Sequence, residues 1–310
     1  MFEEKALLFF HAVTPVHMGA GTALGAVDNP IQREVHTGHP LLAGSGLKGA
    51  LRDLVEAQKG DLAERLFGPK KEGSDHAGAV SLGDAQLVLF PVRSAKRAYL
   101  YATSPTCLAR IRRMAEIAGI PDLPDLPSEP KPGEALCASK EPFVALAGQE
   151  RVVLEALDYG AKEDAILQAW ARWIGENGFP EKGFDHFKKK VTKDTVLLSE
   201  EAFQHFVQNA TLVEAHVRID DESGTADDGG LFYTENLPPE SLLAGLLMAS
   251  RERPSRQNGK RTIFSARQVL DELRPFLSGA FVQAGGDATS GRGGLVIRFL
   301  EGGKSHGQNA

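Results

Sequence analysis

Between Val13 and Asp53 the chain reads VTPVHMGAGTALGAVDNPIQREVHTGHPLLAGSGLKGALRD, setting an imidazole (His17), a carboxylate (Asp28) and the neighbours Arg33 and Glu34 ahead of two cations, Lys48 and Arg52. Imidazole and carboxylate are the side chains that move protons near neutral pH, and a carboxylate also holds a hard metal ion. Lysine and arginine neutralise phosphate. These are the parts of a phosphate-binding site with an acid beside it. The glycines between them allow the backbone to approach a ligand or partner chain closely.

The flanking patterns say what must position these groups. KALLFFHAV, residues 5–13, is an apolar run bounded by Pro15 and glycines, the pattern of a strand buried on both faces. Leu47, Leu51, Leu54 and Val55 recur at helical spacing, which predicts a helix with Ser45 as its N-cap. Lys48 and Arg52, four apart, share a face near the helix start, where unpaired N–H groups favour an anion. Asp28 and Lys48 are therefore expected to face one ligand.

Composition narrows the class. With 310 residues, 42% hydrophobic and 25% charged, the chain can bury a sizeable core. Apolar runs fall short of the roughly 20 residues of a membrane span, and MFEEKALLFF carries acids where a signal peptide carries bases, so a cytoplasmic protein is expected. Cys107 and Cys137, about 30 residues apart with no zinc spacing, read as free thiols. A net charge of −6 argues against a generally basic nucleic-acid surface. The bases are clustered, however: Lys48 and Arg52; Lys188, Lys189 and Lys190; and Arg251, Arg253, Arg256, Lys260 and Arg261 around Glu252. Such runs are usually solvated faces, but they permit an RNA groove.

Further along, Gly78–Val92 carries a strand signal and Cys107–Gly119 an amphipathic helix, while the five prolines of Ile120–Gly133 exclude regular structure. Helices are expected at Glu163–Glu176, after Ser199, and over Phe264–Leu277. Leu212–Asp220 reads as a half-buried strand, DDESGTADDGG as an acidic loop, and LFYTENLPPESLLAGLLMAS as two strands about Pro238 and Pro239. QAGGDATSGRGG, Gln283–Gly294, holds five glycines and Arg292 between two strands. A strand follows it, so it is no dinucleotide fingerprint. It is either a hairpin turn or a loop whose N–H groups and Arg292 hold a nucleic-acid backbone. Strands and helices at both ends suit an α+β fold of ferredoxin-like order.

The combination TPVHMGAGT, VDNPIQREVHTGHPLLAGSGLKGALR, FYTENLPPESLL and GGDATSGRGG resembles the RAMP superfamily, most of all the Cas-seven-like backbone subunits that stand fourth in the Cmr complex, the type III-B CRISPR effector. The resemblance covers the first 55 residues and about 230–298. It implies an RRM-like palm from residues 1–60 and 205–300 with a thumb-like hairpin, an inserted finger-like elaboration at 61–204 and a flexible tail at 301–310. It implies copies stacked with other Cmr-type subunits along a guide crRNA, reading it by shape and backbone while base pairing reads a single-stranded target RNA. Ser45, Lys48, Arg52, Gly286, Gly291, Arg292 and Gly293 match the family's guide-contacting segments. Asp28 matches the acid at the cutting points, on a loop that pries the duplex apart, and Glu235 an acid nearby.

Cleavage of RNA needs its 2′-OH in line with the phosphorus, a proton acceptor or metal, and positive charge on the phosphorane. Asp28 can hold Mg²⁺ or Mn²⁺, which take few carboxylates, or act as base; His17 is the candidate acid or base. Each group also has an ordinary role. Asp28 before Asn29-Pro30 suits a turn, His17 a local hydrogen bond, Arg33 and Glu34 an ion pair, and Lys48 a solvated surface. Against the endoribonuclease stand three alternatives: a guide-coating scaffold, a precursor-RNA processing enzyme, and a small-molecule enzyme with a phosphate site.

Overall fold

The computed structural model describes residues 2–70, 76–220, 222–253 and 262–302. In chain order the strands are β1 (Glu4–Ala12), β2 (Leu41–Leu42), β3 (Val80–Leu82), β4 (Ala85–Ser94), β5 (Ala98–Thr103), β6 (Glu134–Cys137), β7 (Val144–Leu146) and β8 (Gln149–Leu154). They continue as β9 (Leu157–Glu163), β10 (Thr195–Leu197), β11 (Leu212–Ile219), β12 (Ala226–Asn236), β13 (Leu242–Ala249), β14 (Phe281–Gln283) and β15 (Gly294–Leu300). The helices are α1 (Gly44–Glu56), α2 (Gly60–Phe67), α3 (Pro105–Ile117), α4 (Ala165–Asn177), α5 (Asp185–Asp194), α6 (Glu200–Asn209) and α7 (Ala266–Leu277). The fold is α+β.

β1 is the axis. It pairs antiparallel with β13 on one side and β15 on the other, and β13 pairs antiparallel with β4, giving the order β15-β1-β13-β4. Its alternating side chains enter two cores. Ala6, Leu8 and Phe10 pack with Leu47 and Leu51 of α1 and Val269 and Leu273 of α7. Leu7 and Phe9 pack with Leu108 of α3 and Trp170 of α4. Helices on both faces are why β1 is apolar without interruption, as expected of a strand buried twice.

Most expected elements are in place, with chemical reasons. Ser104, Asp164, Ser199 and Ser265 each accept a backbone N–H at the start of their helices, and Ser265 with Gln268 completes a capping box. Within the segment 61–204, β3 and β4 pair with β13, and β5, β10, β6 and β9 extend the same sheet. Three corrections follow. Strand β11 is not half-buried: with β12 it forms a two-stranded ribbon off the main sheet, exposing Val213, Val217, Ile219 and Leu231. Asp227, expected in a loop, lies within β12. Glu301, expected to begin a disordered tail, is held by Arg267 at 3.1 Å and by Arg274. Residues 303–310 of that tail, and Arg256, Lys260 and Arg261, lie outside the described residues.

Among the described residues no helix is long and apolar enough to cross a membrane. Cys107 and Cys137 are free and buried, and burial pushes each thiol up to about 12. An unfolded thiol titrates near ~8.5. Folding therefore holds these protons, so the stability they contribute is complete below about pH 8.5 and is lost as pH rises towards 12. A thiol-specific disulfide reagent at pH 8 should leave both cysteines unmodified in the native chain and titrate both after unfolding in guanidinium. Rapid labelling of native protein would contradict their placement.

Candidate functional site

The end of β1 leads into Val13–His17, and this segment is packed between the glycine loop and the ribbon. Gly286 N–H donates to the His17 carbonyl and Gly293 N–H to that of Pro15, both at 2.8 Å; Gly294 N–H donates to Thr14 Oγ1 at 2.8 Å. A Cβ at Gly285 would stand 2.4 Å from the His17 carbonyl oxygen, and Gly285 itself has φ +90°. The glycines are thus demanded by a close approach of the chain to itself. The expectation that these N–H groups are open to a phosphate is corrected for Gly286 and Gly293, whose donors are already engaged. Gly291, with φ +79°, closes the short 3-10 turn Ala288–Ser290.

His17 is half-buried. Its Nδ1 lies 2.7 Å from the carbonyl oxygen of Glu235, which only accepts, so Nδ1 donates there and, in the neutral ring, Nε2 bears the lone pair. A Cβ at Gly19 would come within 2.8 Å of Nε2, so the absence of a side chain there keeps that nitrogen accessible.

Asp28 is stitched to β12 by backbone. The N–H groups of Asp28 and Asn29 donate to the Tyr233 carbonyl at 3.1 and 3.0 Å, and Glu235 N–H donates to the Asn29 carbonyl at 3.0 Å. In return Tyr233 N–H donates to Asp28 Oδ2 at 2.7 Å. Oδ1 receives no hydrogen bond among the described residues. The carboxylate is therefore fixed through one oxygen and presents the other. The preceding Gly21–Ala26 bows outward, with Leu24 fully exposed.

Glu235 lies on the same strand, its carbonyl against His17 and its N–H against Asn29. It is 6% exposed, its Oε1 taken by Arg33 at 2.5 Å and Thr211 Oγ1 at 2.8 Å, its Oε2 by Ile31 N–H at 3.1 Å. Its carboxylate is thus buried in an ion pair and met by three donors, two on Oε1 and one on Oε2. Arg33 also donates to the carbonyls of Gly38 and Val207, tying the loop to α6. The expected Arg33–Glu34 pair is absent; Glu34 pairs with Arg110 at 2.9 Å.

Ser45 is not the N-cap of α1. Ala43 holds that position, and Gly44 N–H donates to Asp84 Oδ1 at 2.7 Å, so a carboxylate from another loop already answers the helix start. Gly44 is needed because a Cβ there would meet the Leu82 carbonyl oxygen at 2.5 Å. Met18 lies 3.2 Å from where a Cβ of Gly46 would be, so the segment after His17 crosses the first turn of α1. Lys48 on that helix has no carboxylate partner among the described residues. Burial holds its ammonium below the ordinary lysine value, and Arg52 one turn on lowers it further. Arg52 faces Glu56 at 3.6 Å. Arg292 is also occupied, its guanidinium gripping Glu214 of β11 at 2.6 and 2.7 Å. The base set is thereby reduced to one unpaired cation, Lys48, beside the His17 segment.

The structure thus sets the His17 segment against the glycine loop, β12 and the first turn of α1, bonds Asp28 to the same strand β12, and pairs Glu235, Arg52 and Arg292 with Arg33, Glu56 and Glu214. Arg33, Thr211, Glu214 and Asp84 were not expected in these roles; their partners lie far away in sequence, and no local spacing marks them.

The model of the RAMP superfamily matches residues 9–296. The chain belongs to the RAMP superfamily. This RAMP protein is 33% identical over 301 residues to the CRISPR system Cmr endoribonuclease Cmr4 of Pyrococcus furiosus, covering 95% of each chain. It is 22% identical to the CMR subunit Cmr4 of Saccharolobus solfataricus, covering 94% of this chain and 95% of that one. Among solved structures it superposes on oligomeric Cmr4 from Pyrococcus furiosus with a TM-score of 0.71 and 26% identity, covering 96% of this chain and 99% of that one. A chain of a type III-B Cmr-beta complex bound to cognate target RNA shares the fold, with a TM-score of 0.69 at 16% identity over 96% and 98% of the two chains.

Arg33→Met in this RAMP protein should leave Glu235 buried and unpaired. The expected loss is about 3–5 kcal/mol of unfolding free energy, measured by urea denaturation. A loss under about 1 kcal/mol would mean that the pair is not the strut described.

Proposed function

We propose that the chain is a guide-RNA-binding backbone subunit of a type III-B CRISPR effector, cleaving complementary single-stranded target RNA at regular intervals beside Asp28. The observation that carries this is the half-free carboxylate: Asp28 is held by the Tyr233 N–H at the base of an exposed ribbon, with Oδ1 presented outward. The reading is supported by similarity to a named Cmr endoribonuclease across 95% of the chain. The order β15-β1-β13-β4, with α1 joining β1 to the β3–β4 segment and α7 joining β13 to β15, supports a ferredoxin-like, RRM-like palm. Its partners would be guide crRNA, target RNA, further copies of itself and other Cmr-type subunits.

In this reading Lys48 holds a guide phosphate, whose charge relieves both the desolvation and the Arg52 repulsion acting on the lysine. The ribbon β11–β12 is the thumb. One face carries Val213, Val217, Leu231 and Tyr233; the other carries His216 stacked on Phe232 with centroids 5.2 Å apart. Apolar and aromatic groups on a projecting ribbon suit the unstacking of bases. Because Asp28 is bonded to β12, whatever base step the ribbon opens, the carboxylate is delivered next to it. His17 Nε2, with its lone pair exposed, takes or returns a proton at the 2′-OH or the leaving oxygen.

The residues present fit a divalent ion only as a shared one. Among the described residues no cluster of three or more His, Cys, Asp or Glu side chains forms a cage, so Asp28 Oδ1 would be one ligand among phosphate oxygens and waters. Bound there, Mg²⁺ or Mn²⁺ would supply charge stabilisation to the phosphorane.

In a reconstituted complex Asp28→Ala should lower target cleavage by about 100-fold or more while target affinity stays within about twofold. Cleavage should stop in EDTA and return with Mg²⁺ or Mn²⁺. Unchanged cleavage by Asp28→Ala complexes would favour the guide-coating scaffold, and cleavage of precursor RNA by the isolated chain in EDTA would favour a processing enzyme.

A further inference from the structure

The basic run Lys188–Lys190 lies on α5, where Lys189, Lys190 and Lys193 form one wall of a pocket of about 580 Å³. The opposite wall is the turn from β4 into β5, with Lys96, Arg97 and Tyr99. The volume is that of a small-ligand site. Five cations converge there in a chain whose formal net charge is −6.

Two carboxylates accompany them, in unequal roles. Asp194 is fully buried and both its oxygens are occupied, by Arg97 Nε at 2.9 Å and Lys190 Nζ at 2.7 Å. It holds these two cations in place, and Lys190 Nζ also donates to the Arg97 carbonyl at 3.2 Å, so the accessible charge is that of Lys96, Lys189 and Lys193. Glu141 is a half-exposed rim residue, 3.5 Å from Arg97 and 3.3 Å from Lys193. An exposed carboxylate between two cations occupies the position of an exchangeable anion. Lys96 donates to the Phe143 carbonyl at 2.7 Å, and Lys189 has neither hydrogen bond nor ion pair among the described residues. Lys190 Nζ covers the Tyr99 ring at 4.2 Å, so that ring is closed to a stacking base. The chemistry offered is charge, mainly lysine point charge, which suits a phosphate rather than a nucleobase.

Its place in the fold connects it to the Asp28 site. Since β1, β13, β4 and β5 pair antiparallel in turn, the end of β1, the start of β13, the end of β4 and the start of β5 share one rim. That rim carries the His17 segment, the foot of the ribbon and this pocket. Three strand spacings, about 14 Å, separate β1 from β5.

We propose that the Lys96–Lys193 pocket is a second anion site, taking a phosphodiester group of RNA that runs along this rim from the Asp28 site. This rests on the RNA-binding reading above. The test is Lys189→Gln/Lys193→Gln in the reconstituted complex, with affinity measured against salt for guide RNA alone and for target RNA on guide-loaded complex. The slope of log affinity against log salt should become shallower by about 1–2 for the RNA that occupies the pocket, and Lys189→Arg/Lys193→Arg should restore it. Cleavage at saturating RNA should stay within about twofold of wild type, a readout separate from the slope. Asp28→Ala, by contrast, should keep the wild-type slope. Slopes unchanged for both RNAs would overturn the proposal. So would loss of self-association with unchanged slopes, which would assign the pocket to the acidic end of another copy's ribbon around Asp220 and Glu222.

Discussion

The buried pair of Arg33 with Glu235 is the contact on which the rest of the candidate site depends. Its guanidinium reaches the loop carbonyl of Gly38 and the α6 carbonyl of Val207, while its carboxylate also collects Thr211 and the Ile31 N–H. One ion pair therefore joins the loop after Asp28, strand β12, the residue leading into β11 and the helix before it. Burying charges is expensive, and an arrangement of this kind is tolerated only when the charge is paired and hydrogen-bonded, as Glu235 is by Arg33, Thr211 and the Ile31 N–H. What it secures is geometry: β12 is held where the Tyr233 N–H meets Asp28.

A second consequence concerns charge. Residues 13–53 and the glycine loop carry the cations Arg33, Lys48, Arg52 and Arg292, and the fold pairs Arg52 with Glu56, Arg292 with Glu214 and Arg33 with Glu235. Lys48 is left without a partner, on a helix whose first N–H is already bonded to Asp84. A polyanion arriving at the His17 segment meets Lys48, whose ammonium is partly desolvated. The cations gathered near Tyr99 extend the same rim.

Legibility in the sequence followed the range of the forces. Period is local, so β1, α3, α4, α6 and α7 could be read from the spacing of their apolar residues, and α6 with its Ser199 cap. The Ser45 cap failed because its competitor, Asp84, lies 40 residues away. Strand β11 was misread as half-buried because alternation shows that a strand has two faces and not whether a layer covers either. The glycine loop was recognised, but its purpose was not, since the His17 carbonyl that excludes a Cβ at Gly285 comes from the other end of the chain.

The sequence by itself determined the α+β class, the twice-buried first strand, the free thiols and, through recognisable segments, membership of the RAMP superfamily. These depend on residue type and on spacings of a few residues, which backbone geometry converts directly into faces and turns. Only the tertiary structure decided which ionic groups face outward. Glu235 and Arg292 were taken into ion pairs and Asp28 kept a free oxygen because ion pairing joins residues up to about 200 positions apart, over distances that no periodicity encodes.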